Sequence, residues 1–201
     1  MDNKVVIIGA SGHGKVIADI IIKSGDKVVG FLDDDTTKKI WNIPTLGAVC
    51  DYAKYASDCK FIVAIGNNTI RKNIMETLEC DWYNAIHPTA TIGYGVEYGN
   101  GIVLMANAVV NSDAKICDGV IINTNASVDH DCQIGKCAHI SVNSAIAGGC
   151  KIGSEVFVGA GATIKNNINI SDKITIGAGA TVVNDLYEAG TYIGTPAKKM
   201  V

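Results

Sequence analysis

No apolar run in this chain approaches the ~18 residues of a membrane span, so no segment is expected to cross a bilayer. There is no basic run either, and the formal net charge is only −3. Nucleic acid is therefore not expected as a partner. The seven cysteines include no Cys-x-x-Cys pair. They are expected to be reduced and mostly structural. Nothing basic precedes the short apolar run at residues 5–8, which is too short for a secretory leader, and a cytoplasmic location is expected. Of the four histidines only His130 and His139 fall well inside the repetitive half of the chain. That is one short of the three-histidine set of a catalytic zinc, so no metal is expected.

What the chain does have is a six-residue period. It runs unbroken from Ile86 to Tyr187. An aliphatic slot recurs at Ile86 and every sixth residue up to Val182, and sixteen of the seventeen slots are Ile, Val or Leu, Tyr98 being the exception. Four places after each slot stands a second apolar or small residue, such as Ala126, Cys132, Ala138 or Ser144. Apolar spacings of four and then two would drift off a helical face at once, because a helix needs spacings of three and four. A short strand followed by a corner fits, and a fixed short period means a solenoid. Three hexads make one triangular coil, so the stretch holds between five and six coils. Gly and Asn between the slots supply permissive corners.

Residues 1–85 have another pattern. A buried strand at 5–8 runs into Gly9-Ala-Ser-Gly-His-Gly14, and apolar residues at helical spacing follow from Lys15 to Lys23. Further strands are predicted at 28–32, ending in Asp33-Asp34, at 61–65, ending in Gly66-Asn67-Asn68, and at 82–86, with a helix over 69–78. The stretch from Trp41 to Tyr55 is expected to be irregular. Strands alternating with helices make a parallel sheet. Ligands on such a sheet bind at the carboxyl ends of its strands. The glycine turn reads G-x-x-G-x-G, not the dinucleotide order G-x-G-x-x-G. The segment has room for one mononucleotide-binding half only, so a nucleotide or nucleotide sugar is a better ligand than NAD. Glycines at a helix N-terminus let backbone N–H groups approach a phosphate. Asp33 and Asp34 could bond a ribose or a base.

His87 is expected to be structural, at the junction of the two parts. His130 and His139 take non-interior positions and should project outward from the prism. They lie half a coil apart, on different faces. His130 has Asp129 before it and Asp131 after it. A neighbouring carboxylate raises the basicity of an imidazole and fixes its tautomer. A base poised near neutrality suits proton abstraction from an attacking amine or hydroxyl.

Taken together, the glycine turn, Phe31-Leu-Asp-Asp34, Ile65-Gly-Asn-Asn68, Asn123-Thr124, His130-Asp131, His139-Ile-Ser141 and Gly194-Thr-Pro-Ala-Lys198 resemble a known family. It is the hexapeptide-repeat sugar acyltransferases of the sialic acid O-acetyltransferase and bacillosamine-pathway N-acetyltransferase group. The resemblance covers essentially the whole chain. It implies an α/β Rossmann-like half domain over residues 1–85 and a left-handed parallel β-helix over 86–201. It also implies a homotrimer, with acetyl-CoA in the cleft between adjacent β-helices. His130 would be the general base, Asp131 its partner, and Asn123 would line the active site. His139 would touch the CoA arm, with the backbone at Ala160 and Ala178 further along, and the Gly148 N–H could polarise the thioester carbonyl. Ser11, Gly12 and His13 would hold the phosphates of the sugar nucleotide. Asp33 and Asp34 would hold its base or ribose, and Gly66 would offer neighbouring backbone. The expected reaction is acetyl transfer to the 4-amino group of a UDP- or dTDP-linked amino-deoxysugar. O-acetylation of a sialic acid is the alternative, and a non-catalytic nucleotide-sensing scaffold the remote one. Outward apolar and small residues such as Val142, Ala145, Phe157 and Ala160 are expected to support lateral pairing into the trimer.

Overall fold

The computed structural model describes residues 3–200. Val5, Val6, Ile7 and Ile8 are all fully buried, which is what a strand covered on both faces requires. They form β1 (Lys4–Ile8), the central strand of a parallel sheet that continues with β2 (Lys27–Leu32), β3 (Thr45–Gly47) and β4 (Lys60–Val63). The strand order is β3-β2-β1-β4. The chain therefore reverses direction across the sheet between β1 and β4. The glycine turn and the Ile65–Asn68 loop flank that switch point, where open α/β sheets bind ligands. Helix α1 spans Gly12–Lys23 and α2 spans Asn68–Thr77.

Two local expectations are corrected. The segment expected to be irregular contains β3 and a short 3₁₀ helix, Val49–Lys54. The strand expected over 82–86 is reduced to β5, Ala85–Ile86, with Trp82 making only an isolated bridge to Phe61. β5 already belongs to the prism, since it pairs with Val103 and Leu104.

From β5 onward each hexad is a two-residue strand and a corner. The strands stack into three faces of eight, five and six strands, parallel except for the last pair, Gly190–Ile193 with Lys198–Lys199. Pairing is to the residue eighteen positions on, as at Ile121↔His139 and His139↔Phe157, until the last coil, where it is sixteen, as at Ile174↔Gly190. Every corner holds one left-handed residue, and these fall every six residues from Gly95 to Gly179. Gly, Asn and Asp tolerate that conformation, and they fill the corners except at Cys137, Glu155 and Lys173. The aliphatic slots are buried along the prism axis from Leu104 to Val182. Tyr98 is the departure: it is 46% exposed, because its coil is the first on its face and has no coil beneath it.

One face carries the half domain. Its outward residues Val103 and Ile121 are fully buried, in one core with Ile17, Ile20 and Ile21 of α1. The amphipathic α1 thus has its apolar side on the prism as well as on the sheet. The other two faces are bare in this chain.

Candidate active site

His139 is the outward residue of a strand on the docked face, and the half domain covers it. It was expected to stand in an open cleft. Instead it is only 8% exposed. Its ring stacks on His13 of α1, with centroids 6.4 Å apart, and Phe157 meets it edge-on at 5.2 Å. The Asn123 side-chain amide lies 3.1 Å from its Nε2. Asn123 therefore sits with His139 and not, within one chain, with His130.

Burial, reinforced by the nearby Arg71 guanidinium, lowers the pKa of His13 and of His139 to about 4. Both rings are neutral at working pH. His13 can therefore offer one N–H to a phosphate but brings no charge. The Nε2 atom of His13 and the Nδ1 atom of His139 are buried and lack a hydrogen-bond partner among the described residues. These two nitrogens, Asn123 and the β4–α2 loop with Gly66 converge at the switch point of the sheet.

The glycine turn leaves room beside them. A side chain added at Gly12 or Gly66 would meet nothing within 4 Å. Ser11 is the N-cap of α1 but its hydroxyl makes no capping bond. The turn thus presents an unfilled helix N-terminus, a natural anion seat. Asp33 is used differently from the expectation. One carboxylate oxygen accepts the Ala10 N–H at 2.7 Å and the other the Asp35 N–H at 2.9 Å, while Lys38 bridges both. Asp33 shapes the turn. Asp34 is exposed and accepts only the Val49 N–H, at 3.2 Å. It is the freer of the two for a ribose.

His130 stands at a different corner, between the two bare faces, with 61% of its side chain exposed. Its Nδ1 lies 2.7 Å from the Asp131 carboxylate. The carboxylate must accept, so Nδ1 carries the proton and Nε2 is left free to take one. Asp131 reaches because it occupies the left-handed corner (φ 59°). Its hydrogen bond, and then the charge of Asp129, raise the pKa of His130 above the usual 6.5. Asp129 is itself tethered by Asn111 at 2.8 Å and by the His130 N–H at 2.8 Å.

Gly148 lies one coil on. A Cβ there would fall 2.6 Å from both Cε1 and Nε2 of His130. The missing side chain is therefore the space the imidazole occupies. The Gly148 N–H is the weakest of the influences that hold the Asp129 carboxylate below its usual pKa. Replacing Gly148 with Ala should push the ring aside and cut kcat by about 10²-fold, the usual cost of a misplacement near 1 Å. A folded protein with native circular dichroism but low kcat is the expected result. Ala160 and Ala178 are exposed and stack on the corner between the docked face and the next, with the Gly179 N–H bonded to the Ala160 carbonyl at 2.9 Å. His87 is buried and bonded to Thr89, as a structural residue would be.

Arg71 had no signal in the sequence beyond a charged residue within a predicted helix. It is fully buried.

Residues 4–78 match the PglD N-terminal domain, and residues 131–166 match the bacterial transferase hexapeptide (six repeats). The acetyltransferase domain of PglB from Neisseria gonorrhoeae FA1090 is 36% identical, with a TM-score of 0.95 over 99% of this chain and 100% of that one. The chain belongs to the hexapeptide-repeat sugar acetyltransferase family. Another member of this family, PerB from Caulobacter crescentus, was solved in complex with CoA and GDP-perosamine. It is 35% identical over 99% of this chain and 98% of that one, again with a TM-score of 0.95. It has also been solved with one histidine replaced by asparagine or by alanine. The UDP-N-acetylbacillosamine N-acetyltransferase of Bacillus subtilis (strain 168) is 34% identical over 110 residues, which are 51% of this chain and 51% of that protein. The match thus spans about half the length of that curated relative. The Neisseria domain has been solved with acetyl coenzyme A as well. Among the described residues, no group of His, Cys, Asp and Glu could hold a metal ion, and no helix is long and apolar enough to cross a membrane.

Proposed function

We propose that the protein transfers an acetyl group from acetyl-CoA to the 4-amino group of a UDP- or dTDP-linked amino-deoxysugar. The observation that carries the reading is the His130–Asp131 pair, with Nδ1 bonded and Nε2 free. The neutral amine attacks the thioester carbonyl, and nitrogen becomes acidic as the C–N bond forms. His130 Nε2 takes that proton. Collapse of the tetrahedral intermediate breaks the C–S bond and releases CoA as a thiolate, which the protonated His130 can neutralise. The Gly148 N–H would serve as an oxyanion donor to the thioester oxygen.

Within one chain His130 and the Asn123–His139 group occupy different corners. The reading therefore needs a homotrimer, in which His130 of one subunit faces the docked half domain of the next. The bare faces support this, with Val142 37% exposed beside Ala145 and Ala160. Acetyl-CoA would lie along the corner of Ala160 and Ala178. The sugar nucleotide would lie over Ser11, Gly12, His13, Asp34 and Gly66. Relatives named as N-acetyltransferases and solved with CoA and a nucleotide amino sugar favour N- over O-acetylation.

The test is direct. The protein is incubated with acetyl-CoA and a panel of UDP-, dTDP- and GDP-linked 4-amino sugars, with free sialic acids alongside, and free CoA is followed. Release only with sialic acids would move the reading to O-acetylation, and release with none would favour a sensing scaffold. A companion result is expected at Gly12. Gly12→Leu fills space that is empty in the chain and blocks backbone approach to phosphate. Acceptor KM should rise about 10- to 100-fold, the worth of one charged hydrogen bond, with KM for acetyl-CoA unchanged. Equal weakening of both would make the turn structural.

A further inference from the structure

His130 is flanked by two carboxylates that are held differently. Asp131 is taken up by Nδ1, at 2.7 Å. Asp129 Oδ1 accepts twice, from the Asn111 side-chain amide and from the His130 N–H, both at 2.8 Å. The Gly148 N–H acts on this carboxylate only weakly, and among the described residues no other donor claims the second oxygen, Oδ2. The register explains the asymmetry. Asn111 stands one coil before Asp129 and Ala147 one coil after it. Asn111 pins one oxygen, and the Ala147 methyl has no donor for the other.

The free oxygen lies 4.0 Å from His130 Nε2. Nδ1 carries the ring proton, so Nε2 is an acceptor too. Two acceptors therefore face one gap, and neither can satisfy the other. A single heavy atom that donates to both would close it. With hydrogen bonds of about 2.9 Å, the two bonds would diverge by roughly 90°, close to the angle between the N–H bonds of an amine. Both side chains are partly exposed in the single chain, so an acceptor can reach the gap.

We propose that Asp129 selects nitrogen over oxygen in the acceptor: its Oδ2 and His130 Nε2 together receive the two N–H groups of the amine. Asn111 is the positioning residue that keeps Oδ2 aimed at the gap. The inference rests on the acetyl transfer proposed above and names the group that recognises the attacking atom. As the nitrogen lone pair forms the C–N bond and the C–S bond breaks, one N–H proton passes to Nε2. The other stays on nitrogen as the amide hydrogen, still bonded to Oδ2. A hydroxyl has only one O–H. It can satisfy Nε2 or Oδ2, and the other acceptor then faces a lone pair. Sites built to bond a substrate N–H reject analogues in this way, because a polar group is left without its partner.

The test compares an amino-sugar nucleotide that the protein acetylates with the same nucleotide bearing a hydroxyl in place of the amine. Asp129→Asn keeps an oxygen for Asn111 and the His130 N–H, and turns the group facing the gap into an NH₂ donor. For the amine, kcat/KM should fall about 10- to 100-fold, as the loss of a hydrogen bond to a charged group implies. A hydroxyl has a second lone pair to accept the new donor, so the amine-to-hydroxyl ratio of kcat/KM should fall at least about tenfold. Loss of the Asp129 charge also makes His130 less basic, but that acts on both acceptors alike and cancels in the ratio. Where hydroxyl turnover is too slow to follow, its inhibition constant against the amine should fall while KM for the amine rises. KM for acetyl-CoA should stay within about twofold. Asn111→Ala leaves the carboxylate charged but free to turn, and should lower the same ratio about two- to tenfold; it decides the matter if Asp129→Asn does not fold. An unchanged ratio in folded Asp129→Asn overturns the proposal and leaves Asp129 with no role beyond the basicity of His130. An unchanged ratio in Asn111→Ala alone removes Asn111 from it. No transfer to any amino sugar by the wild-type protein would sink the proposed function, and this inference with it.

Discussion

His130→Ala should lower kcat by about 10²–10⁴, the range a general base contributes. KM for both substrates should change little, because the lost interaction belongs to the transition state. The pH profile gives the sharper reading. A base works only when unprotonated, and Asp131 and Asp129 raise the pKa of His130. The wild-type rate should therefore climb with pH through a midpoint above 6.5 and level off beyond it. Asp131→Asn removes the strongest of these influences, so the limb should move to lower pH while the plateau falls by less than in His130→Ala. Asparagine is the right replacement because position 131 is left-handed, and Asn accepts that backbone where Ala would be strained. A full plateau rate in His130→Ala on a confirmed substrate would remove His130 from catalysis.

Subunit mixing should give the other large effect. If each active site takes His130 from one chain and Asn123 from its neighbour, His130→Ala and Asn123→Ala trimers should each be nearly inactive. Co-assembled in equal amounts, the two should recover about one quarter of the wild-type rate, since half the chains can supply each side of a site in a cyclic trimer. Rapid mixing of preformed trimers should recover nothing until subunits exchange. No recovery in verified mixed trimers would mean that both residues serve the same chain's site, which the separation of their corners contradicts. Light scattering that shows a stable monomer would sink the shared site altogether.

The two halves of the molecule were legible in the sequence to different depths. The hexad register from Ile86 to Val182 specifies a prism because no other regular structure buries spacings of four and two. The structure follows it down to single corners. Tyr98 broke the rule for a reason of position: the first coil has nothing below it, so its slot is never enclosed. The glycine turn, the strand ends and α1 and α2 were also readable, from local punctuation and apolar spacing. β3, the 3₁₀ helix and the C-terminal strands Gly190–Ile193 and Lys198–Lys199 escaped, being short and without a period, and the strand expected over 82–86 was shortened to Ala85–Ile86.

The chemistry of single side chains was legible where the partner is a sequence neighbour. His130 and Asp131 pair at 2.7 Å, as adjacent residues at a corner can. Gly148 was singled out for its N–H, yet the structure adds a second reason: its missing Cβ is where the His130 ring lies, and the two positions are a full coil apart. His139 could be placed on an outward position by counting, but counting could not show which face the half domain covers. One clue was present. Val103 and Ile121 are apolar where an open face would be polar, and His139 stands on the next coil of the same face.

By itself, then, the sequence determined the period, the coil and the local acid–base pair, all of which depend on neighbours within one hexad. The tertiary structure alone decided what lies over the docked face. Arg71, Asn68 and His13 meet Cys137, Glu155 and His139 across more than fifty residues of chain. Those contacts depend on how two separately folded surfaces fit, and no local spacing encodes that fit.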